Sequence, residues 1–309
     1  MHRIKLLITG ISGFIGRSLV EEIVKRELPI DIYGIDIKQP EFKNPVFLKH
    51  ISFYLVDMRD RDALNTYFQD KHFDGVVHLA AISRVVDAEK DKTNCIAVNL
   101  FGTKYLVDVL ERSKDTWLIF GSSREVYGEQ KQFPVKESAP KKPINIYGEC
   151  KLQGEQLIKE RLQKYAILRF SNVYGNDYDI EGRVVPAFVK RALTDQILYL
   201  EGGEQTIDFT HISNTVESII DTIQLLQNNQ ISTEEMHISP GQINRITDII
   251  HYLELITEKK IKILIRDKRH YDVEHFVGDS SHREQILGKK QFICLKDGIE
   301  QMVKEIYCI

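Results

Sequence analysis

The chain has 309 residues, 42% of them hydrophobic and 28% charged, and a formal net charge of −3. That much apolar sequence can bury a sizeable core, and the length suits one large domain or two linked ones at ~150 residues each. The slight negative charge excludes nucleic acid as the main partner, since a phosphate backbone needs a basic face, and without a run of ~18 apolar residues no membrane span is expected.

The first expected strand is IKLLIT, residues 4–9. Its context, MHRIKLLITGISGFIG, has an apolar run too short and glycine-broken for a signal peptide, with no small-residue cleavage site after it, so it reads as a strand entering a loop. That loop carries Gly10, Gly13 and Gly16, with Phe14 and Ile15 in its tail, and opens a helix over 14–26. A glycine-rich turn between strand and helix lets the backbone approach a pyrophosphate, which then rests on the positive helix N-terminus. IDIYGID, 30–36, is the second strand. Asp36 ends it, at the distance from the glycines where an acidic side chain accepts adenosine ribose hydroxyls. The same carboxylate would repel a ribose phosphate, so NAD is favoured over NADP.

FYLV (53–56), GVVHLA (75–80), WLIF (117–120) and YAILRF (165–170) continue the series. Each is apolar on both faces, as buried parallel strands are. Helical spacing of apolar residues over 97–113 and 146–163 fills the gaps between them. The alternation predicts an α/β fold, a doubly wound parallel sheet of Rossmann type, over residues 1–171. The pattern then changes to a long polar loop, NVYGNDYDIEGRVVP, followed by shorter helices and strands (213–226, 245–257, 261–266). Residues 172–309 are expected to form a smaller, mainly substrate-binding part, with some elements packing back on the first.

Three Tyr-x-x-x-Lys pairs occur: Tyr67/Lys71, Tyr127/Lys131 and Tyr147/Lys151. Tyr147 opens a long amphipathic helix, which puts Lys151 one turn along the same face. A phenol near pKa ~10 needs about 4 kcal/mol to act as a base at pH 7. An ammonium ~4 Å away supplies ~1 kcal/mol in water and ~4 at an effective dielectric of ~20, so only a roofed pair can do this work. Tyr67/Lys71 reads as a solvated surface pair on an early helix. Tyr127/Lys131 lies in a loop bounded by glycine and proline, and Tyr127 reads as structural.

The cysteines, Cys95, Cys150, Cys294 and Cys308, have neither Cys-x-x-Cys nor prenylation spacing and read as free thiols of a reducing cytosol. The ten histidines lack zinc-protease spacing. His78 and His211 read as packed side chains, and no metal is expected.

With these motifs in order, the chain resembles the extended short-chain dehydrogenase/reductases that act on nucleotide sugars. The matching stretches are the Gly-x-x-Gly-x-x-Gly loop, VDMRD, HLAA, GSSREVYGE, YGECKLQGE and LRFSNVYG. The resemblance implies NAD as cofactor, a nucleotide-sugar substrate and a cytoplasmic homodimer paired through the helices of 97–110 and 146–158. It assigns the cofactor to Gly10, Gly13, Phe14, Ile15, Gly16, Asp36, Asp57 (to the adenine amine), Met58, Leu79, Ala80, Ala81 and Phe170. Tyr147 would remove a proton from a sugar hydroxyl. Lys151 would hold the nicotinamide ribose, and Ser123 would hydrogen-bond the reacting oxygen, with Ser122 a weaker choice. Ser83, Ser123, Asn172, Arg183 and Arg269 would meet the substrate.

Departures from the family choose among its reactions. The 4,6-dehydratases use an Asp-Glu pair where this chain has Arg124 and Glu125, and arginine cannot supply a proton near neutrality. Glu125 survives as a catalytic candidate. Uronate decarboxylases use an arginine at the position of Ile207, which many epimerases also use to grip the diphosphate. Epimerisation at C4 through a transient 4-keto sugar asks only for Ser123, Tyr147 and Lys151, and is the favoured reading. Dehydratase, 4-ketoreductase, decarboxylase and a non-catalytic NAD-binding regulator are the alternatives.

Overall fold

The computed structural model describes residues 3–307, so Cys308 lies outside the described residues. The first half runs β1 (Ile4–Thr9), α1 (Phe14–Lys25), β2 (Ile30–Asp36), β3 (Ile51–Leu55), α2 (Arg61–Phe68), β4 (Gly75–His78), α3 (Val85–Lys90) and α4 (Lys92–Cys95). A π-helical turn, Ile96–Phe101, leads into α5 (Gly102–Leu110), β5 (Trp117–Ser123), α6 (Ile146–Arg161) and β6 (Tyr165–Phe170). These strands and β11 (Thr233–Ile238) make one parallel sheet in the order β11-β6-β5-β4-β1-β2-β3. The order reverses beside β1, and the crevice outside the strand ends at such a point is where ligands bind in this class of sheet.

Alternation along the strands builds two cores. Leu6 and Ile8 of β1 face one cluster with Val77, Ile119 and Leu168. Leu7 faces the other with Val76, Leu118, Phe120 and Ile167. The first is covered by α1 and by α8 (Ile212–Gln227), through Ile219, Ile220 and Ile223; the second includes Leu64 of α2 and Leu106, Val107 and Leu110 of α5. Both faces are therefore dry, which is why these strands read as unbroken apolar runs.

The other elements are β7 (Asn172–Tyr174), α7 (Val184–Leu193), β8 (Leu198–Glu201), β9 (Thr206–Ile207), β10 (Phe209–His211), β12 (Asn244–Arg245), α9 (Ile246–Thr257), β13 (Ile263–Arg266), β14 (His275–Phe276), α10 (Ser281–Leu287) and α11 (Leu295–Tyr307). Phe188, Leu198, Leu200, Ile207, Ile249, Leu253 and Ile299 give this part its own core. The chain is thus not divided at one point: it leaves the sheet after β6, and returns to it at α8 and β11.

The Tyr67/Lys71 expectation is corrected here. Tyr67 is only 6% exposed, inside an aromatic cluster with Tyr54, Phe68 and Phe73, and Lys71 lies 4.5 Å from its ring centroid. The pair is half core rather than solvated, because α2 lays that face against β3 and the segment before β4. Tyr127 is buried in a 3-10 turn, Arg124–Tyr127, and its hydroxyl meets Arg169 Nη1 at 2.9 Å and His237 Nε2 at 2.8 Å.

Behind that turn, Arg169 and Glu155 form a fully buried pair: Nε to Oε1 is 2.9 Å and Nη2 to Oε2 is 2.7 Å. Ser122 donates to Glu155 Oε1 at 2.6 Å, and Glu235 adds a second carboxylate to Arg169. Deleting one partner of a buried pair strands the other charge. Glu155→Ala is expected to lower the unfolding free energy by about 3 kcal/mol, read from urea midpoints at unchanged slope.

Candidate active site

A cavity of about 1260 Å³ opens at the C-terminal ends of the sheet strands. That exceeds the ~300–1,000 Å³ of a single small-ligand site, so there is room for two ligands. One wall is the Rossmann half; the other is built from residues 171–191, β8, β9 and Arg266–Val273.

On the first wall, Gly10 has φ +71°, and a Cβ there would lie 2.6 Å from the Ala80 amide nitrogen. The loops after β1 and β4 therefore touch, bringing Leu79, Ala80 and Ala81 to the glycine turn. A Cβ at Gly16 would lie 2.6 Å from the Gly10 carbonyl, which seats α1 tightly on the turn. Gly13 is the N-cap of α1 and offers no side-chain cap, so the first helical amides, at Phe14 and Ile15, remain for an anion. Asp36 is oriented by amides: Oδ2 accepts from Ser12 N at 2.9 Å and Oδ1 from Ile37 N at 2.7 Å. Asp57 is gripped by Arg59, with Nη2 to Oδ2 at 2.6 Å, and the hydrogen bonds from Arg59 hold its carboxyl below the usual range. Met58 and Phe170 are buried in the lining. This tight, uncapped, glycine-built turn with an oriented carboxylate beyond it fits a dinucleotide.

One residue missed from the sequence steadies this wall. Asn99, in the π-helical turn, accepts from Ile82 N at 2.7 Å and donates to Ile82 O at 3.0 Å, clamping the 79–82 segment to the helix. A π turn is not legible from apolar spacing.

Asn145 begins α6: its Oδ1 accepts from Gly148 N at 2.8 Å. The helix then presents Tyr147 (8% exposed) and Lys151 (3%) to the end of β5. Lys151 Nζ donates to the Gly121 carbonyl at 2.7 Å and lies 5.9 Å from the Tyr147 ring centroid. The Ser123 hydroxyl, which accepts from Glu125 N at 3.2 Å, is near enough to favour the ionised form of the Tyr147 phenol. Burial pushes the Tyr147 phenol up to about 12; the Ser123 hydroxyl and the charge of Arg183 pull the other way without reversing it. Burial also brings Lys151 down to about 8. Both side chains are buried, and the cleft by itself holds a neutral phenol beside an ammonium that sheds its proton readily.

Glu125 is engaged on both oxygens: Arg124 Nη2 lies 3.1 Å from Oε1 and Asn145 Nδ2 donates to Oε2 at 2.8 Å. Arg124 also donates Nε to Asn172 Oδ1 at 2.9 Å. The carboxylate that survives from the dehydratase pair is thus tied to the arginine that replaced its neighbour. Ser122 points away to Glu155. Arg183 comes closer than a loop arginine need: Nη2 donates to Ser83 Oγ at 3.0 Å, and Nη1 meets Asp179 at 3.4 Å. Asp179, unanticipated, is a buried lining carboxyl raised to about 6 by burial. Arg269 reaches the cavity but is paired to Glu201 at 3.0 Å and Asp272 at 2.8 Å. Ile207 is 5% exposed and packed with Phe188 and Ile249 in the separate core of the other part. Two arginines that the sequence did not single out, Arg191 and Arg266, also line this wall. His78 is held between Thr9 (2.6 Å) and Thr103 (3.0 Å), a packed histidine.

Known proteins place this arrangement. A family model described as the NAD dependent epimerase/dehydratase family matches residues 6–235. A Methanocaldococcus jannaschii relative with the provisional name UDP-glucose 4-epimerase is 32% identical, over 96% of this chain and 97% of its own. The structure of UDP-glucuronic acid 4-epimerase from Bacillus cereus, in complex with UDP-glucuronic acid and NAD, superimposes with a TM-score of 0.87 at 27% identity, covering 99% of each chain. The fold is also that of Thermotoga maritima UDP-glucose 4-epimerase, TM-score 0.88 at 24% identity over 99% of each chain. The chain belongs to the NAD-dependent epimerase/dehydratase family.

Proposed function

We propose that this protein epimerises a nucleotide-activated sugar at C4, with NAD as its cofactor. The observation that carries the reading is the meeting of the buried Ser123, Tyr147 and Lys151 in a cavity roomy enough for two ligands, with Arg124 occupying the place where dehydration would need a proton donor. Glycines 10, 13 and 16, the amides of Phe14 and Ile15, Asp36 and the 79–81 turn would hold NAD, which when bound supplies a reversible two-electron acceptor for C4.

With its own proton shed to solvent, Tyr147 as the phenolate takes the C4 hydroxyl proton at its oxygen. Ser123 hydrogen-bonds the same sugar oxygen and steadies the negative charge that develops there. Lys151, pinned to the Gly121 carbonyl, keeps a positive charge by the ring. The keto sugar turns over in the cavity, and Tyr147 returns the proton to the inverted alcohol. The ion pair and the Asn145 bond keep Glu125 from serving as a free base, which weighs against dehydration. Ser83, Asn172, Arg183 and Arg269 are the proposed sugar and phosphate contacts. Residues 172–309 are taken as the mainly substrate-facing part, less α8 and β11.

Incubating the protein with a panel of nucleotide sugars and resolving the products by NMR tests the reading. Interconversion of C4 epimers supports it. A 6-deoxy-4-keto product, a product shorter by one carbon, or tight NAD binding without conversion would each replace it. Asp36→Ala is expected to weaken NAD by about tenfold, roughly the ~1.5 kcal/mol of a charged hydrogen bond, while leaving NADP binding no weaker, as read by calorimetry.

A homodimer is proposed through α6 and α5 with the π-helical turn that leads into it, where Phe101 is exposed and stacks on Tyr105; light scattering at micromolar concentration checks it. No described helix is long and apolar enough to cross a membrane. The free thiols of Cys95, Cys150 and Cys294 suit a reducing cytosol.

A further inference from the structure

We propose that Arg266 and Arg191, paired across the ring of Tyr199, form the subsite for the substrate's diphosphate. This rests on the nucleotide-sugar reading and adds to it the residues that grip the phosphates.

Three observations carry the assignment. The Arg266 guanidinium carbon lies 3.7 Å from the Tyr199 ring centroid and that of Arg191 lies 4.8 Å from it, so one ring holds two cations, no further apart than the sum of those distances. All three residues line the large cavity. Neither arginine has a carboxylate partner among the described residues: Arg191 donates only to the Ile197 carbonyl, at 2.9 Å. The acidic side chains nearby are committed elsewhere, Glu201 and Asp272 to Arg269, and Glu181 to Lys190.

Like charges held together by stacking call for a polyvalent anion. Guanidinium forks match phosphate oxygens two by two, and stacking on a ring fixes their planes before the ligand arrives. The expected arginine position cannot serve, since Ile207 is apolar and packed in the core. Arg269 is already paired with two carboxylates, which more than offset its charge. Arg266 lies on β13 in register with Glu201 of β8, and Arg191 near the end of α7, so two elements of the second wall converge on one anion site.

The test is calorimetry with uridine and guanosine diphosphates and the matching nucleosides, on wild type, Arg191→Gln, Arg266→Gln and the double variant. Wild type is expected to bind one diphosphate about 100-fold tighter than its nucleoside, an advantage that shrinks as salt rises. Each substitution should cost about tenfold in diphosphate affinity and the pair about 100-fold, with nucleoside and NAD affinity unchanged. Steady-state kinetics on the sugar that the protein converts should show KM rising by similar factors with kcat within twofold. A double variant that binds the diphosphate within twofold of wild type, or a wild type that does not prefer diphosphate to nucleoside, overturns the subsite. Absence of sugar conversion by wild type would instead overturn the functional reading, so the two failures are told apart.

Discussion

Tyr147→Phe is expected to bind NAD within about twofold of wild type and to lose turnover by about 10³-fold, in the range of general acid–base contributions. The physical case starts from the folded protein: burial lifts this phenol to about 12. Ionising it at pH 7 then costs about 7 kcal/mol, at 1.36 kcal/mol per unit. Ser123 and Arg183 already lower that cost, and Lys151 offers a cation. Neither serine hydroxyl at the end of β5 combines the proton with that setting. Ser123 lacks a cation of its own and Ser122 is spent on Glu155. Phenylalanine keeps the ring's packing against Cys95, Cys150 and Ala88, so the fold is expected to lose no more than about 1 kcal/mol with the hydroxyl. A folded, NAD-binding and inactive variant is therefore the expected result, checked by calorimetry and NMR of the sugar. Turnover within tenfold of wild type would move the proton to another group.

The alternating half of the chain was legible because each strand is buried on both sides, so its apolar run carries no competing signal. Tyr67 shows the limit. Its helix has the same composition as a solvated one, and only the approach of Tyr54 and Phe73 from distant positions makes it core. The grouping of Ser123, Tyr147 and Lys151 was readable because Tyr147 and Lys151 share a helix face and Ser123 ends a strand. Arg124 was readable as a loss, the missing acid, but its bonds to Asn172 and Glu125 depend on how β7 leaves the sheet. Arg191, Tyr199 and Arg266 carried no signal. They come from a helix end and two short strands separated by more than sixty residues, and their meeting is set by the turn from α7 into β8 and by the β8–β13 pairing. Arg183 reads as a loop arginine until the chain reversal after β7 brings it to Ser83.

Lys151→Met carries the second large expectation: turnover falls by about 10³-fold, again within the acid–base range, while the melting temperature stays within a few degrees of wild type. Burial lowers this lysine from 10.5 to about 8. At pH 7 it is charged whether folded or unfolded, and the folded state bears a desolvation cost of about 3 kcal/mol, the shift taken at 1.36 per unit. Methionine removes that cost in nearly the same volume. Against it stands the Gly121 carbonyl, left without its 2.7 Å donor, worth about 1–3 kcal/mol. The two contributions nearly cancel. Between about pH 8 and 10.5 the unfolded wild type binds more protons than the folded, so its stability rises with pH through that window; the variant's contribution from this site does not. Activity runs the other way, since the ammonium that steadies the phenolate is lost as pH rises past about 8. Wild-type kcat/KM should accordingly fall on the alkaline side, and the residual rate of Lys151→Met should lack that limb. Thermal melts at pH 7 and 9.5 together with a pH–rate profile separate these outcomes. A variant that unfolds at pH 7, or keeps the alkaline limb, would show that Lys151 is a strut for Gly121 and some other group holds the charge.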